Sequence, residues 1–252
     1  MAARRNAADD ADAIARPRAY RFDIGPVLPT RELVRVPTGH SAFDELMFHG
    51  GLPLGTTVEI GSETGGGKTL LCMKLVANAQ RLGLRCAWAD VEHYIRPDSL
   101  PWFERNGVDL SKLIVYGRDV ERDSAERVLS STLRLIQASE ESPFVQKRSG
   151  DEETGAKATS EPLWADVIVL DSLAALQPAG LLRIIKEGKD MSEYNQPMDL
   201  ASVLGKYMKT LTANVEAHGR LLLCCNQMRA SISSGSWRTG PEMKTFGGFA
   251  WL

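Results

Sequence analysis

A glycine-rich run, Gly61-Ser62-Glu63-Thr64-Gly65-Gly66-Gly67-Lys68-Thr69, lies directly after the apolar segment Thr57-Val58-Glu59-Ile60 and directly before a helical pattern. No other stretch limits the possible folds as strongly. Strand, glycine-rich loop, Lys-Thr and helix in this order make a phosphate-binding loop: glycines let backbone N–H groups curl around phosphates, the lysine reaches the outer phosphates, and the hydroxyl can hold Mg²⁺. The expected ligand is a nucleotide cradled by Ser62, Glu63, Thr64, Gly65, Gly66, Gly67, Lys68, Thr69 and Leu70, with Thr69 on the metal. A glycine-rich turn that binds nothing would not need these elements in this order. One position is irregular: Ser62 stands where the usual spacing has a glycine, and Gly61 is displaced one residue upstream.

Elsewhere, apolar residues alternate between helical and strand spacing. Leu70, Leu71, Met73, Leu75, Val76 and Ala79 recur at helical intervals up to Gly83, and Arg85 to Val91 reads as a buried strand. Leu113-Ile114-Val115-Tyr116 is a third strand, followed by a helix through Ala125, Val128, Leu129, Leu133 and Leu135. Val167-Ile168-Val169-Leu170-Asp171 is apolar up to its last residue, as in strands buried on both faces of a parallel sheet. A helix from about Asp199 to Ala217 precedes the strand Leu221 to Cys225. This alternation predicts an α/β fold with a doubly wound, mostly parallel sheet and flanking helices. Upstream, Ser41 to Met47 reads as a short helix, with Ser41 and Glu45 near cap and first-turn positions.

Residues 1–35 are polar and broken by Pro17, Pro26 and Pro29, and read as an N-terminal arm outside the core. Residues 36–252 then form one large domain, with a disordered insertion at about 139–160. The formal charge of −2 confines any nucleic-acid binding to local basic loops. Cys72, Cys86, Cys224 and Cys225 sit in apolar runs without metal-site spacing, so reduced core thiols and a cytoplasmic location are expected. There is no apolar run of membrane-spanning length and no signal-peptide pattern at the start.

Two carboxylates complete the candidate site. Asp171 ends its strand at the edge where open α/β sheets bind ligands, and is placed to hold Mg²⁺ and its waters. Asp90-Val91-Glu92-His93 ends a neighbouring strand, which makes Glu92 the candidate general base for an attacking water. A surface Asp and a solvated loop Glu are the plain alternatives.

The order Gly50 to Gly55, the phosphate loop, Asp90 to His93, Gly107-Val108-Asp109, Asp166 to Leu176 and Asn226-Gln227-Met228-Arg229 resembles the ATPase core of the RecA recombinases. The likeness covers about Val36 to Leu252 apart from the insertion, while Tyr94 to Asp98 resembles the archaeal and eukaryotic branch. The resemblance implies ATP and Mg²⁺ as cofactors, Lys68 on the phosphates, Glu92 as base, and Gln227 as the residue that senses the outermost phosphate. Either Arg96 or Trp102 stacks on the adenine. It further implies two DNA-holding loops, one from about Gln177 to Pro197 and one from about Met228 to Phe246. Their candidate contacts are Met198, Arg229, Ile232, Arg238 and Lys244, with Lys209 reaching DNA from its helix. An apolar anchor at Met198 or Ile232, and a solvated helix face at Lys209, are the alternatives.

The function implied is an ATP-dependent recombinase that forms helical filaments on single-stranded DNA and pairs it with double-stranded DNA. The arm, through Tyr20 to Ile24, docks on the next subunit. Beyond Leu252 the family continues into strands whose lysines reach the neighbour's ATP and into a separate C-terminal domain. A partial chain or a partner that supplies those strands is therefore expected. A non-hydrolysing DNA filament or mediator protein is the competing reading; a small-molecule kinase leaves the segment after Asn226 without a purpose.

Overall fold

The apolar runs become the strands of a parallel sheet and the buried stripes of the helices around it. In the computed structural model, which describes residues 34–47, 49–119, 122–142, 144–145, 162–190, 196–231 and 242–245, the main elements follow in chain order. They are β1 (Arg35–Val36), β2 (Leu52–Pro53), β3 (Thr56–Ser62), α1 (Lys68–Arg81), β4 (Cys86–Asp90), α2 (Leu100–Arg105), β5 (Leu113–Tyr116) and α3 (Ala125–Gln137). After these come β6 (Phe144–Val145), β7 (Pro162–Leu163), β8 (Val167–Asp171), α4 (Ala179–Lys186), α5 (Gln196–His218), β9 (Leu221–Ser231) and β10 (Glu242–Thr245). Strands β3, β9, β8, β4 and β5 lie side by side and all parallel, and β10 pairs antiparallel with the far end of β9.

Side chains alternate across a strand, so each buried strand supplies two cores. Cys86, Trp88, Val167, Val169, Leu221, Leu223 and Cys225 face one side, packed on α1 residues such as Met73, Leu75 and Val76 and on Phe103 of α2. Ala87, Ala89, Ile168, Leu170, Leu222 and Cys224 face the other, packed on α3 and α5 through Val128, Leu129, Leu204 and Met208. The sheet is thus covered on both faces, as the all-apolar strands require.

Several boundaries differ from the sequence reading. Arg35, assigned to the arm, pairs in β1 opposite Pro53. The stretch Ser41–Met47 is helical, beginning as α-helix at Ser41 and Ala42 and widening to a π-helix over Phe43–Met47. The Asp44 carboxylate accepts from Thr38 N (2.8 Å) and Gly39 N (3.2 Å), tying the preceding turn to this helix. Only the start of the insertion is described: Ser139 and Ser142 close a turn, and β6 pairs with β7, which lies just past the insertion. Residues 146–161 lie outside the described residues.

The first expected DNA loop, about Gln177 to Pro197, contains helix α4, and Met198 stands in the first turns of α5. Leu181 is buried beneath α4, and Arg183 pairs with Glu187 one turn on (2.9 Å), an interaction only a helix allows. The second expected loop begins and ends as a hairpin, with Arg229 opposite Lys244 and Met228 opposite Thr245. The strand β9 continues past Gln227 because β10 supplies backbone partners where β3 has ended.

At the sheet edge opposite the glycine-rich loop, Arg220 ties α3 to β8 and β9. Its guanidinium bonds the Asp166 carboxylate, the Ala138 carbonyl (2.8 Å) and the Ile136 carbonyl (3.4 Å), while Asp166 also accepts from Arg85 N (2.9 Å). Replacing Arg220 with Met removes the donor from a largely buried carboxylate. The expected cost is about 2 kcal/mol, read as a lower urea midpoint at unchanged slope.

Candidate nucleotide site

The C-terminal ends of four strands meet at one edge of the sheet. Register places Ser62 opposite Gln227 and Asp90 opposite Asp171. Between β3 and α1 the chain turns through Gly65 (φ 79°) and Gly67 (φ 84°), a left-handed conformation that a side chain resists. Gly66 approaches so closely that a Cβ there would lie 2.4 Å from Ser62 Oγ. Gly67 occupies the N-cap of α1 with no capping side chain, and no acid stands in the first turn. The first N–H groups of α1 therefore lack both partners that commonly satisfy them, a cap and an anionic residue.

Lys68 folds back over the loop. Its Nζ donates to Ser62 O (3.1 Å), Ser62 Oγ (3.1 Å) and Glu63 O (2.9 Å). This is an ammonium held beside an uncapped helix N-terminus, and that donor set fits a chain of phosphates. Glu63, Thr64 and Leu70 are exposed at the loop. Thr69 Oγ1 donates to Asp171 Oδ2 at 2.9 Å and joins the start of α1 to the end of β8. Burial pushes the Asp171 carboxyl up to about 6; the Thr69 hydroxyl works against that shift, and the neighbouring Glu92 charge adds to it. A buried carboxylate beside a hydroxyl is an oxygen donor set suited to Mg²⁺.

Glu92 lies on the turn after β4, whose Val91 and Glu92 amides bond the Asp171 carbonyl. Its carboxylate accepts from Ser172 Oγ. The Tyr94 hydroxyl lies near it, its pKa raised first by burial and then by the Glu92 charge. Gln227 stands in β9 with its amide on Asn226 Oδ1 (2.9 Å), and Asn226 Nδ2 reaches across to Glu59 Oε1 (2.7 Å). Arg96, paired with Asp98 at 3.5 Å, and Trp102, edge-on to Phe103, are both exposed on the segment after Glu92.

The structure brings Ser62, Lys68, Thr69, Asp171, Glu92 and Gln227 to one sheet edge. Met198 is 70% exposed and Lys209 is exposed on α5, while Arg229 and Lys244 share a rung of the β9–β10 hairpin. Ile232 and Arg238 lie outside the described residues, as do residues 1–33. All four cysteines are buried and free, with Cys72 Sγ and Cys225 Sγ 3.4 Å apart beneath the loop. Burial pushes the Cys86 thiol up to about 12, so it stays protonated at neutral pH. A groove of about 910 Å³ runs along β5, which pairs only with β4 among the described residues. No helix among the described residues is long and apolar enough to cross a membrane.

Ser172, Tyr94, Asp90 and Asn226 were not singled out as site residues by sequence, although Ser172 directly follows Asp171 and Asn226 directly precedes Gln227. Their roles depend on partners on other strands.

Fold and loop together define a P-loop NTPase core of the doubly wound type. A model of the RecA N-terminal domain matches residues 26–140. The chain is 32% identical over 224 residues to Protein RecA of Methylococcus capsulatus, an alignment covering 89% of this chain and 53% of that protein. It is 31% identical to Protein RecA of Haemophilus ducreyi (86% and 48% covered) and 31% identical to that of Colwellia psychrerythraea (86% and 52%). The chain is thus similar to the RecA proteins over most of its own length, and it spans about half the length of the curated relatives it matches.

Proposed function

We propose that this chain is the ATP-hydrolysing core of a DNA recombinase. The observation that carries the reading is the uncapped N-terminus of α1 beneath Lys68, joined through Thr69 to the buried Asp171. The loop amides and Lys68 bind the phosphates. Thr69 and Asp171 hold Mg²⁺, which when bound neutralises charge on the phosphates. Glu92, held by Ser172, orients a water and takes its proton. Gln227, in β9 between its pairing with β3 and its pairing with β10, would pass a change at the phosphates toward the β9–β10 pair. Arg96 or Trp102 covers the adenine.

Arg229 and Lys244, opposite each other in β9 and β10, are the proposed contacts to DNA phosphates, with Arg238 and Ile232 in the segment between the two strands, and Lys209 and Met198 contributing from α5. Backbone contacts of this kind bind single-stranded and double-stranded DNA without sequence preference and weaken with salt. Assembly into a filament is supported by the outer edge of β5, which pairs only with β4 among the described residues and could take up a segment of a second copy, with residues 20–24 as the proposed segment. The cytoplasm is the expected compartment.

The test is ATP hydrolysis with Mg²⁺, measured with and without single-stranded DNA. Turnover that rises on adding DNA is expected. Tight DNA binding without turnover would favour a non-hydrolysing filament protein, and phosphoryl transfer to a small acceptor would favour a kinase.

A further inference from the structure

Asp90 is fully buried at the end of β4, yet it belongs to neither the phosphate loop nor the metal pair. Its carboxylate is the hub of the turn that carries Glu92. Oδ1 accepts from Tyr94 N (2.7 Å), Oδ2 accepts from Ile95 N (3.1 Å), and the Asp90 carbonyl accepts from His93 N (3.2 Å). The backbone between these bonds is forced into an unusual shape, with His93 at φ 56°. Glu92 sits inside this turn, so its direction is set by how firmly Asp90 is held.

One cation reaches that hub: Arg118 Nε lies 3.3 Å from Asp90 Oδ2. Arg118 comes from the neighbouring strand, two residues past Tyr116, and Gly117 (φ 76°) turns the chain there. Ala89 is in register with Tyr116, so the turn at Gly117 sends Arg118 back across the end of β4. Arg118 also lines the groove along β5.

We propose that Arg118 is a positioning residue for Glu92: it pairs with Asp90, Asp90 holds the amides of Tyr94 and Ile95, and the turn so fixed aims Glu92 at the water. A buried carboxylate that already accepts two amides keeps its charge at lower cost with a guanidinium beside it. Without the cation the hub loosens, and a catalytic carboxylate misplaced by a fraction of an ångström loses rate without losing ligand. The inference rests on the proposed ATP hydrolysis, in which Glu92 is the base.

The test compares Arg118→Met with Arg122→Met, a control that removes an equal charge from an exposed ion pair with Asp119 nearby. Four quantities are read: ATP affinity by a fluorescent analogue, kcat, KM, and hydrogen exchange at the amides of Tyr94 and Ile95. In Arg118→Met, kcat is expected to fall roughly 10- to 100-fold with affinity and KM within about twofold, because the reacting group moves while the phosphate cradle stays. The two amides are expected to exchange faster. Arg118→Lys, or guanidinium ion added to Arg118→Ala, is expected to restore part of kcat, since the site is half exposed and the cation alone is missing.

Wild-type kcat in Arg118→Met overturns the proposal, and so does a loss of kcat matched by an equal loss of ATP affinity, which would mark general damage. A wild-type protein that binds ATP without turnover overturns the proposed hydrolysis instead. The latch is then read from exchange alone, and unchanged exchange at Tyr94 and Ile95 sinks it.

Discussion

Glu92→Gln is expected to lower ATP turnover roughly 100- to 10,000-fold while leaving ATP binding near the wild-type value. The amide is close in shape to the carboxylate and its oxygen can still accept from Ser172 Oγ, so the turn keeps its form. What disappears is the charge proposed to orient an attacking water and take its proton. The phosphate-binding groups, Lys68 and the N–H groups at the start of α1, are untouched. Single-turnover hydrolysis alongside equilibrium binding separates the two. A variant that keeps more than about a tenth of wild-type turnover would remove Glu92 from the chemistry.

Asp171→Asn is expected to have two effects of opposite sign. The first is on the nucleotide-free protein. Burial raises the Asp171 carboxyl to about 6, above its unfolded value of 3.8, so the folded chain holds this proton more tightly than the unfolded one. Below the unfolded value both states are protonated and the group is neutral for stability. Between the two values the folded chain carries more protons and stability falls as pH rises; above about 6 the penalty is constant. Asn removes the charge and can still accept from Thr69 Oγ1, so the variant should be more stable than wild type at pH 7, by on the order of 2 kcal/mol, and about equal to it at pH 3.5.

The second effect is a loss. Without the carboxylate the site keeps one hydroxyl for a hard divalent cation, so Mg²⁺-dependent ATP stabilisation and turnover should drop, by roughly 100-fold or more in rate. Melting curves at the two pH values, each with and without Mg²⁺ and ATP, read both effects. A variant less stable than wild type at pH 7 without ligand, or one that keeps its Mg²⁺ response, would contradict this account of Asp171.

Much of the sheet was legible because the signals were local. Val167 to Asp171 is a run of apolar β-formers that fits only a doubly covered strand, and the structure buries every residue in it. The glycine-rich loop was legible because its left-handed positions and lysine are written in neighbouring residues. The segments at Gln177–Pro197 and Met228–Phe246, expected as loops from the resemblance, contain helix α4 and the paired stretches of β9 and β10, while residues 191–195 and 232–241 lie outside the described residues. Their order comes from partners distant in sequence: α4 is fixed by burying Leu181, and the extension of β9 by pairing with β10.

By itself, the sequence determined the α/β class, the strand order along the chain, the phosphate loop from Gly61 to Thr69 and the carboxylates at the strand ends, all through periodicity and short-range spacing. Only the tertiary structure decided which of these groups touch. Thr69 meets Asp171 across 102 residues, Ser172 meets Glu92 across 80, and Asn226 meets Glu59 across 167. Arg118 reaches Asp90 only because β4 and β5 are neighbours in register. The reason is physical: side-chain chemistry and local conformation are carried by adjacent residues, whereas a hydrogen bond at 3 Å exists only after strand order and register have been fixed by burial of the whole sheet.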